Sequence, residues 1–334
     1  QTCALPIFSV PVLANLGGLS DAEQAVLQGA DGCGLLRTEF LFLDRDQAPG
    51  EDEQLAVCRS VMNALGPRLL TIRTMDIGGD KPVRFIDLPD EDNPALGLRG
   101  IRVGFAWPEL LATQLRAILR AAQGAPGPVE VMVPMIIDAD EWQFVRQTFA
   151  AAQADLPEPV KVKLGMMIET PASVLLADQL AAKADFLSIG TNDLTQYVLA
   201  IDRTNRAMAA KADPMHPAVL RAIARVCEAA AVYQCPVSVC GGLSGDPLAV
   251  PLLLGLGIGK LSVVPGQVAA IKRVVRDTDS GRWTALAKQA LALPDPAAVR
   301  DGADQSHSQC LRRRRRARGT PGDLPDVAGE PFAC

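Results

Sequence analysis

Residues 32–39 read GCGLLRTE, in which a short apolar run leads directly into charged side chains. Similar apolar runs recur along the chain and alternate with longer amphipathic stretches. The runs predicted to be strands cover residues 10–16, 32–36, 69–72, 129–135, 162–168, 186–189, 236–240 and 261–264. Eight strand-then-helix units in a chain of 334 residues predict an α/β fold of the (β/α)₈ TIM-barrel type, with a parallel sheet buried on both faces.

Helical periodicity between the strands supports this fold. The predicted helices cover residues 21–29, 54–65, 109–122, 140–152, 172–182, 218–232, 247–254 and 268–275. A doubly wound open sheet is the alternative architecture, but no G-x-G-x-x-G sequence follows the first strand. We therefore predict a single barrel over residues 10–300.

Both ends of the chain differ from this region. Residues 1–9 are interpreted as an artefact or a linker, because QTCALPI resembles a translated sequencing adapter. Helical periodicity stops near residue 300, and five arginines follow at 312–316. Residues 301–334 are interpreted as a disordered basic tail or a frameshifted artefact, with a nucleic-acid-binding arm as the alternative. We base no function on either end.

Composition narrows the functional classes. Hydrophobic residues make up 49% and charged residues 21%, which is typical of a globular protein, and the net charge of −5 gives no reason to expect nucleic-acid binding. An anionic substrate would need locally placed arginines. None of the eight cysteines forms a C-x-x-C pair, and no signal peptide or membrane-spanning run is present. These features predict a reduced, cytoplasmic protein without membrane insertion.

Polar residues follow five of the predicted strands directly. The second strand leads into RTE at 37–39, the third into RTMD at 73–76, the fifth into Glu169, the sixth into GTND at 190–193 and the seventh into Cys240. Because the carboxyl ends of barrel strands meet at one rim, we expect these side chains to share an active site. A strand-end salt bridge would explain any one of them, but not the joint pattern.

The residue types at this rim suit an anion and a divalent cation. Arg37 and Arg73 carry planar forks that match phosphate and carboxylate groups. Glu169 and Asp193 offer hard oxygen ligands, enough to hold a Mg²⁺ that also keeps waters and substrate oxygens. Asn192 can donate a hydrogen bond to a phosphate oxygen from the same turn.

Cys240 stands on a glycine-flanked turn. Its thiol is a candidate proton donor to a carbanion or enolate, since a thiol titrates not far above neutral pH. The alternative is a small buried hydrophobic residue, which is our interpretation of Cys33, Cys58, Cys227 and Cys235.

Several long motifs resemble enzyme I of the phosphotransferase system. They are GCGLLRTEFLF at 32–42, RTMDIGGDK at 73–81, NPALGLR at 93–99 and IGTNDLTQY at 189–197. The resemblance spans roughly residues 10 to 276 in order, and it implies a barrel of the phosphoenolpyruvate-binding type. It also implies substrate contacts from Arg37, Arg73, Arg99, Asn192, Asp193 and Arg203. Mg²⁺ would be bound by Glu169 and Asp193, and Cys240 would protonate the pyruvate enolate. Arg99 and Arg203 are implied by the resemblance alone.

The resemblance also implies partners. Family members transfer the phosphoryl group to a histidine on an N-terminal domain and then to a histidine-containing phosphocarrier protein, and they form homodimers. Neither histidine here fits that acceptor, because His216 precedes Pro217 and is predicted to begin a helix, while His307 lies in the basic tail. We expect this chain alone to bind the substrate without completing the transfer.

One motif departs from the usual pattern. Most enzyme I sequences have CGE where this chain has CGG at 240–242, so an acidic neighbour of the thiol is absent. Together with LSVVP at 261–265, this form resembles the enzyme I module of fused multiphosphoryl transfer proteins of fructose uptake. The alternatives are the barrel of a pyruvate phosphate dikinase or phosphoenolpyruvate synthase, and a non-catalytic module that senses phosphoenolpyruvate.

Overall fold

The computed structural model of this chain describes residues 3–4, 8–79 and 81–317. Eight parallel strands close into a barrel in sequence order, and the last strand pairs with the first. The strands are β1 (Val12–Leu16), β2 (Gly32–Leu36), β3 (Leu69–Arg73), β4 (Val129–Val133), β5 (Val162–Ile168), β6 (Leu187–Ile189), β7 (Val237–Val239) and β8 (Lys260–Val263). The predicted (β/α)₈ fold is confirmed.

Helices connect each strand to the next. They are α1 (Leu19–Leu27), α2 (Glu51–Leu65), α3 (Ile101–Ala106), α4 (Pro108–Ala122), α5 (Ala139–Ala154), α6 (Pro171–Leu175), α7 (Ala177–Ala181), α8 (Thr191–Leu199), α9 (Pro217–Val232), α10 (Ala249–Leu256), α11 (Val268–Asp277), α12 (Ser280–Ala292) and α13 (Pro296–Ala317). Short 3₁₀ turns occur at Glu39–Leu41, Pro94–Leu96, Ala209–Lys211, Gly242–Gly245 and Pro265–Gln267. Cys3–Ala4 pairs antiparallel with Phe8–Ser9. Within the described ranges, none of the helices combines the length and apolar character of a membrane span.

Alternating side chains of the strands form two apolar layers. One layer packs against the helices and includes most of the buried aliphatic residues. The other is a small separate cluster of Leu35, Met132, Met167, Phe186 and Cys240. Its members come from five strands or the residues beside them, so this cluster fills the interior of the barrel below the strand ends.

Some helices differ from the predictions. Residues 172–182, predicted as one helix, form α6 and α7 with a break at Leu176. Helices α3, α8 and α12 were not predicted. With 6 and 9 residues, α3 and α8 are too short for a clear helical periodicity. The strand and helix order is unaffected by these differences.

The chain beyond residue 300 also differs. Helix α13 runs to Ala317, so the predicted end of helical structure near residue 300 is wrong. Val299 and Ala303 are buried against the barrel, while Arg300 binds Asp213 and Asp246. A two-residue apolar contact at i and i+4 is too short a pattern to stand out in sequence. Residues 1–2, 5–7 and 318–334 lie outside the described residues, and the division of the chain at 9 and 300 stays a prediction.

Candidate active site

A cavity of about 210 Å³ opens at the carboxyl ends of the strands. Its lining comes from β2, β3, β5, the turn after β6 and the turn after β7: Leu35, Arg37, Arg73, Asp76, Lys81, Met167, Glu169, Gly190, Asn192, Asp193, Arg203, Cys240 and Gly241. Seven of the eight predicted site residues are in this lining. The eighth, Arg99, lies beside the cavity and is almost fully buried. The barrel therefore brings together residues that are far apart in the chain, at the strand ends where the sequence pattern predicted them.

Two glycines allow this arrangement. Gly241, the residue after Cys240, packs tightly against the start of α8. A Cβ at this position would lie 2.0 Å from Thr191 Oγ1. Gly78 has a φ of +87°, and its Cβ would lie 2.0 Å from the carbonyl oxygen of Leu98. Because glycine tolerates both the left-handed backbone and the close approach, the loop after β3 folds back and brings Arg99 to the site.

Asp76 connects three cations at the edge of the cavity. Its carboxylate accepts hydrogen bonds from Arg99 Nη2 at 3.0 Å and Lys81 Nζ at 2.9 Å, and it forms an ion pair with Arg73 at 3.3 Å. Burial opposes its ionisation, but Arg73, Arg99 and Lys81 outweigh burial and hold the pKa of Asp76 below its usual range. Asp76 is therefore an anion that orders the positive side of the site.

Arg73 is buried at the end of β3 and holds an unused donor. Its Nη2 forms an ion pair with Glu39, and its Nη1 lies 3.8 Å from Met167 Sδ. Among the described residues, its buried Nε has no hydrogen-bond partner. A buried donor without a partner is costly, so this atom indicates room for an anionic ligand. Arg37 is exposed and lines the same cavity.

Glu169 has a carboxylate oxygen that accepts no hydrogen bond from the described residues, whereas Arg73 has a donor without a partner among them. Its Oε1 accepts from the backbone N–H of Met135 at 2.8 Å, whereas its Oε2 is buried without a partner among the described residues. Burial, with repulsion from Asp193 and Asp76, raises the pKa of Glu169 to about 8 although Arg73 and Arg99 act in the opposite direction. The ionised carboxylate at this position is unfavourable without a cation.

Asp193 and Asn192 stand in the first turn of α8. One oxygen of Asp193, Oδ1, accepts from Arg99 Nη1 at 3.0 Å and pairs with Arg203 Nη1 at 3.3 Å. Asn192 Oδ1 accepts from the backbone N–H of Gly242 at 2.9 Å, which orients the amide towards the turn after β7. This donor is a backbone N–H, which any residue other than proline would supply at position 242.

Cys240 is buried at the bottom of the cavity, directly after β7. Burial raises the pKa of its thiol to about 11, against the lowering effects of Ser188 and Arg73. The expectation that this thiol titrates just above neutral pH is therefore wrong, because the barrel interior disfavours the thiolate. At neutral pH the sulfur carries its proton, as a general acid must.

Arg99 and His216 have mainly structural surroundings. The guanidinium of Arg99 is occupied by Asp76, Asp193 and the hydroxyl of Tyr197, so it supports two carboxylates of the site from behind. His216 begins α9, as predicted, and its Nδ1 accepts from the N–H of Ala218 at 3.1 Å. The side chain of His307 lies outside the described residues.

A divalent cation fits the carboxylates of this cavity. Among the described residues Glu169 Oε2 has no hydrogen-bond partner, and burial together with repulsion from Asp193 raises the pKa of Glu169. Within the described ranges, no group of three or more His, Cys, Asp or Glu residues could hold a metal. Two carboxylates suit Mg²⁺ better than metals that require a full protein cage, because Mg²⁺ retains waters and binds substrate oxygens.

Sequence reasoning did not select three residues that matter here. Glu39, Asp76 and Lys81 form the ion-pair network around Arg73, with Lys81 Nζ 3.5 Å from Glu39 Oε1. All three stand in the motifs at 37–39 and 73–81. The signal that could have found them is charge balance, since buried arginines at a rim need nearby carboxylates.

Comparisons with known proteins give a consistent result. Residues 1–280 match the family model described as "PEP-utilising enzyme, PEP-binding domain". Over 87% of its length the chain is 46% identical to a multiphosphoryl transfer protein of Xanthomonas campestris. It is 45% and 43% identical, also over 87% of its length, to phosphoenolpyruvate-protein phosphotransferases of Haloferax volcanii and Haemophilus influenzae. The chain spans 34% of the first relative, and 52% and 51% of the other two.

Proposed function

The chain belongs to the PEP-binding-domain family of PEP-utilising enzymes, and from this premise we propose that it is the substrate domain of an enzyme I-type phosphoenolpyruvate-protein phosphotransferase. One observation carries the proposal. Within the part of the chain that the structure describes, one buried donor and one buried acceptor of the cavity have no partner, Arg73 Nε and Glu169 Oε2. An anionic ligand bound with a cation would satisfy both atoms, and phosphoenolpyruvate with Mg²⁺ is such a pair.

Four cations line the cavity and provide the binding energy for an anion: Arg37, Arg73, Lys81 and Arg203. Three carboxylates, Asp76, Glu169 and Asp193, balance part of this charge. Among the lining residues the four cations outnumber the three carboxyl groups, in a chain whose net charge is −5. In this proposal Arg37, Arg73 and Arg203 bind the phosphate and carboxylate of phosphoenolpyruvate, and Asn192 donates to a phosphate oxygen.

Glu169 and Asp193 would hold the metal. Bound Mg²⁺ would supply positive charge close to the phosphate and carboxylate oxygens. Arg99 contributes indirectly, because it holds Asp193 and Asp76 in place by hydrogen bonds. Its direct contact with the substrate stays a prediction. Positioned cations dominate such a reaction, because the departing phosphoryl group spreads its charge over several oxygens.

Cys240 would complete the chemistry. Loss of the phosphoryl group leaves the enolate of pyruvate, and the protonated thiol lies in the same cavity as the cations. The S–H bond breaks as a C–H bond forms at the methylene carbon, and the enolate oxygen becomes a carbonyl. The alternative interpretation of Cys240 is a buried hydrophobic residue, like Leu35 and Met167 in the same lining, and the exchange experiment below distinguishes the two.

The remaining partners follow from the enzyme I assignment. We propose that the phosphoryl group passes to a histidine on a further domain and then to a histidine-containing phosphocarrier protein, and that the barrel forms a homodimer. The relatives named above carry phosphotransferase or multiphosphoryl transfer names, which favours this assignment over a dikinase or synthase barrel. The multiphosphoryl transfer subtype rests on the CGG and LSVVP motifs.

Exchange at the pyruvate methyl group tests this proposal. The chain is incubated with pyruvate and Mg²⁺ in D₂O, and deuterium uptake is followed by proton NMR. We expect uptake that requires Mg²⁺ and that Cys240→Ala abolishes. Binding of phosphoenolpyruvate without any exchange would identify a sensing module instead, and absence of both would overturn the proposal.

A further inference from the structure

A buried polar cluster holds the backbone beside Cys240. Asn15 Nδ2 donates to the carbonyl oxygen of Cys240 at 3.0 Å, and Ser244 Oγ donates to that of Gly241 at 2.6 Å. Ser262 Oγ in turn donates to Asn15 Oδ1 at 2.7 Å. All these polar side chains are buried. Two successive carbonyl groups are thus fixed from β1, β8 and the turn after β7, so the Cα of Cys240 has little freedom.

Ser188 adds a contact to the sulfur itself. It stands in the middle of β6, is fully buried, and its Oγ donates to Cys240 Sγ at 3.3 Å. The sulfur also lies 3.7 Å from the carbonyl oxygen of Ile189. β6 therefore presents both a donor and an acceptor to the thiol. Burying a hydroxyl group beside an apolar cluster costs folding free energy unless the group forms a hydrogen bond.

We propose that Ser188 is a positioning residue for proton transfer by Cys240, holding the sulfur in the cavity and stabilising the thiolate that remains once the proton has moved to carbon. The inference rests on the proposed function and names a residue that the family motifs do not assign. The hydroxyl already donates to the neutral sulfur, and this hydrogen bond strengthens when the sulfur becomes negative.

The proton balance is complete within this scheme. The thiol gives its proton to the methylene carbon, the thiolate keeps the electron pair of the S–H bond, and solvent water later returns a proton to sulfur. Ser188 loses no proton in either step. The charged groups around the sulfur are Arg73, Glu169 and Arg37, and they are unchanged in the variants below.

The chain offers a matched control for this contact. Ser238 on β7 is the register partner of Ser188, and its Oγ donates to the carbonyl oxygen of Leu187 at 3.3 Å, its one side-chain hydrogen bond within the described ranges. Ser188→Ala and Ser238→Ala therefore remove the same atom from adjacent positions of one sheet. Only the first removes a donor to the sulfur.

Pyruvate methyl exchange in D₂O with Mg²⁺ separates the two variants. We expect Ser188→Ala to lower kcat for exchange by about 10- to 100-fold, with KM for pyruvate within about twofold, because the lost bond acts on the charged sulfur and not on the substrate. Ser188→Thr keeps the hydroxyl and should restore most of the rate. Ser238→Ala should stay within about twofold of the unaltered chain.

Calorimetric binding of phosphoenolpyruvate to each variant shows that the site is folded. A Ser188→Ala variant that binds normally and exchanges as fast as Ser238→Ala would overturn this inference while leaving the proposed function intact. A raised KM with unchanged kcat would also overturn it. Absence of exchange in the unaltered chain would overturn the proposed function and this inference with it.

Discussion

Two groups of charged residues in this barrel have different surroundings. On the outer surface, Glu51 of α2 binds Arg116 at 2.8 Å and Arg120 at 2.6 Å of α4, and these side chains are 25–40% exposed. In the cavity, Arg73 and Glu169 are at most 5% exposed, and each has a polar atom for which the described residues provide no partner. The surface group satisfies its charges, whereas the cavity group does not. Because unsatisfied buried polar groups lower stability, this difference supports the proposal that the cavity binds a ligand.

The largest effect is expected from removing a cavity cation. Arg37→Ala or Arg73→Ala should weaken phosphoenolpyruvate binding by about 100-fold or more, since a multiply charged anion loses a guanidinium group that can donate two charge-assisted hydrogen bonds. Isothermal calorimetry measures this directly. Arg116→Ala removes the same side chain from the surface group and should leave the affinity within about twofold. Equal affinities in all three variants would contradict the assignment of the cavity.

The metal ligand is the next test. Glu169→Gln should make phosphoenolpyruvate affinity independent of Mg²⁺, because the amide is a poor ligand for a hard cation. Titrations with Mg²⁺ and with EDTA, on this variant and on Glu51→Gln, measure the difference. If affinity in Glu169→Gln still rises with Mg²⁺ as it does in the unaltered chain, Glu169 is not a ligand.

Without Mg²⁺, Glu169→Gln and Glu51→Gln should have opposite effects on the free energy of unfolding. The raised pKa of Glu169 means that its contribution to stability is present below its ordinary pKa and is lost as pH rises towards about 8. Glu169→Gln should therefore be more stable than the unaltered chain at pH 8, by on the order of 2 kcal/mol, and about equal below pH 4. Urea unfolding at several pH values checks this.

The contribution of Glu51 to stability should depend on pH in the opposite direction. Burial tends to raise its pKa, but Arg116 and Arg120 outweigh burial and hold the pKa of Glu51 below its usual value. Its stabilisation is thus present at neutral pH and is lost as pH falls through the lowered pKa. Glu51→Gln should be slightly less stable at pH 7 and equal to the unaltered chain in acid. A loss of stability in Glu169→Gln at pH 8 would contradict the expected difference between the cavity carboxyl group of Glu169 and the surface carboxyl group of Glu51.

The smallest effect concerns the contact of α13 with the barrel. Arg300 binds Asp213 at 2.8 Å and Asp246 at 2.9 Å, so Arg300→Ala should lower the free energy of unfolding by about 1 kcal/mol. Arg273→Ala, whose side chain is 81% exposed, serves as the control and should change it by less than about 0.5 kcal/mol. Phosphoenolpyruvate affinity should be unchanged in both. A large loss of affinity in Arg300→Ala would mean that α13 supports the site.

Most of the candidate site could be predicted from sequence because a barrel has a simple rule. Arg37, Arg73, Glu169 and Cys240 each follow an apolar run, and the carboxyl ends of such runs must meet at one rim. Arg203 follows no strand directly and needed the family resemblance. The position of Arg99 behind the cavity could not be predicted, because its partner Asp193 is 94 residues away, beyond the strands β4, β5 and β6, and Arg99 itself follows a loop and not a strand.

The amino-acid sequence by itself determined the order of eight strand–helix units and the residue types at their ends, since apolar periodicity and strand-end chemistry are local properties. Only the tertiary structure decided which charges are paired and which atoms are left without partners. Those properties depend on burial and on contacts between distant segments. The thiol of Cys240 illustrates the reason: its sequence neighbours are a valine and a glycine, but its proton affinity is set by the barrel interior around it.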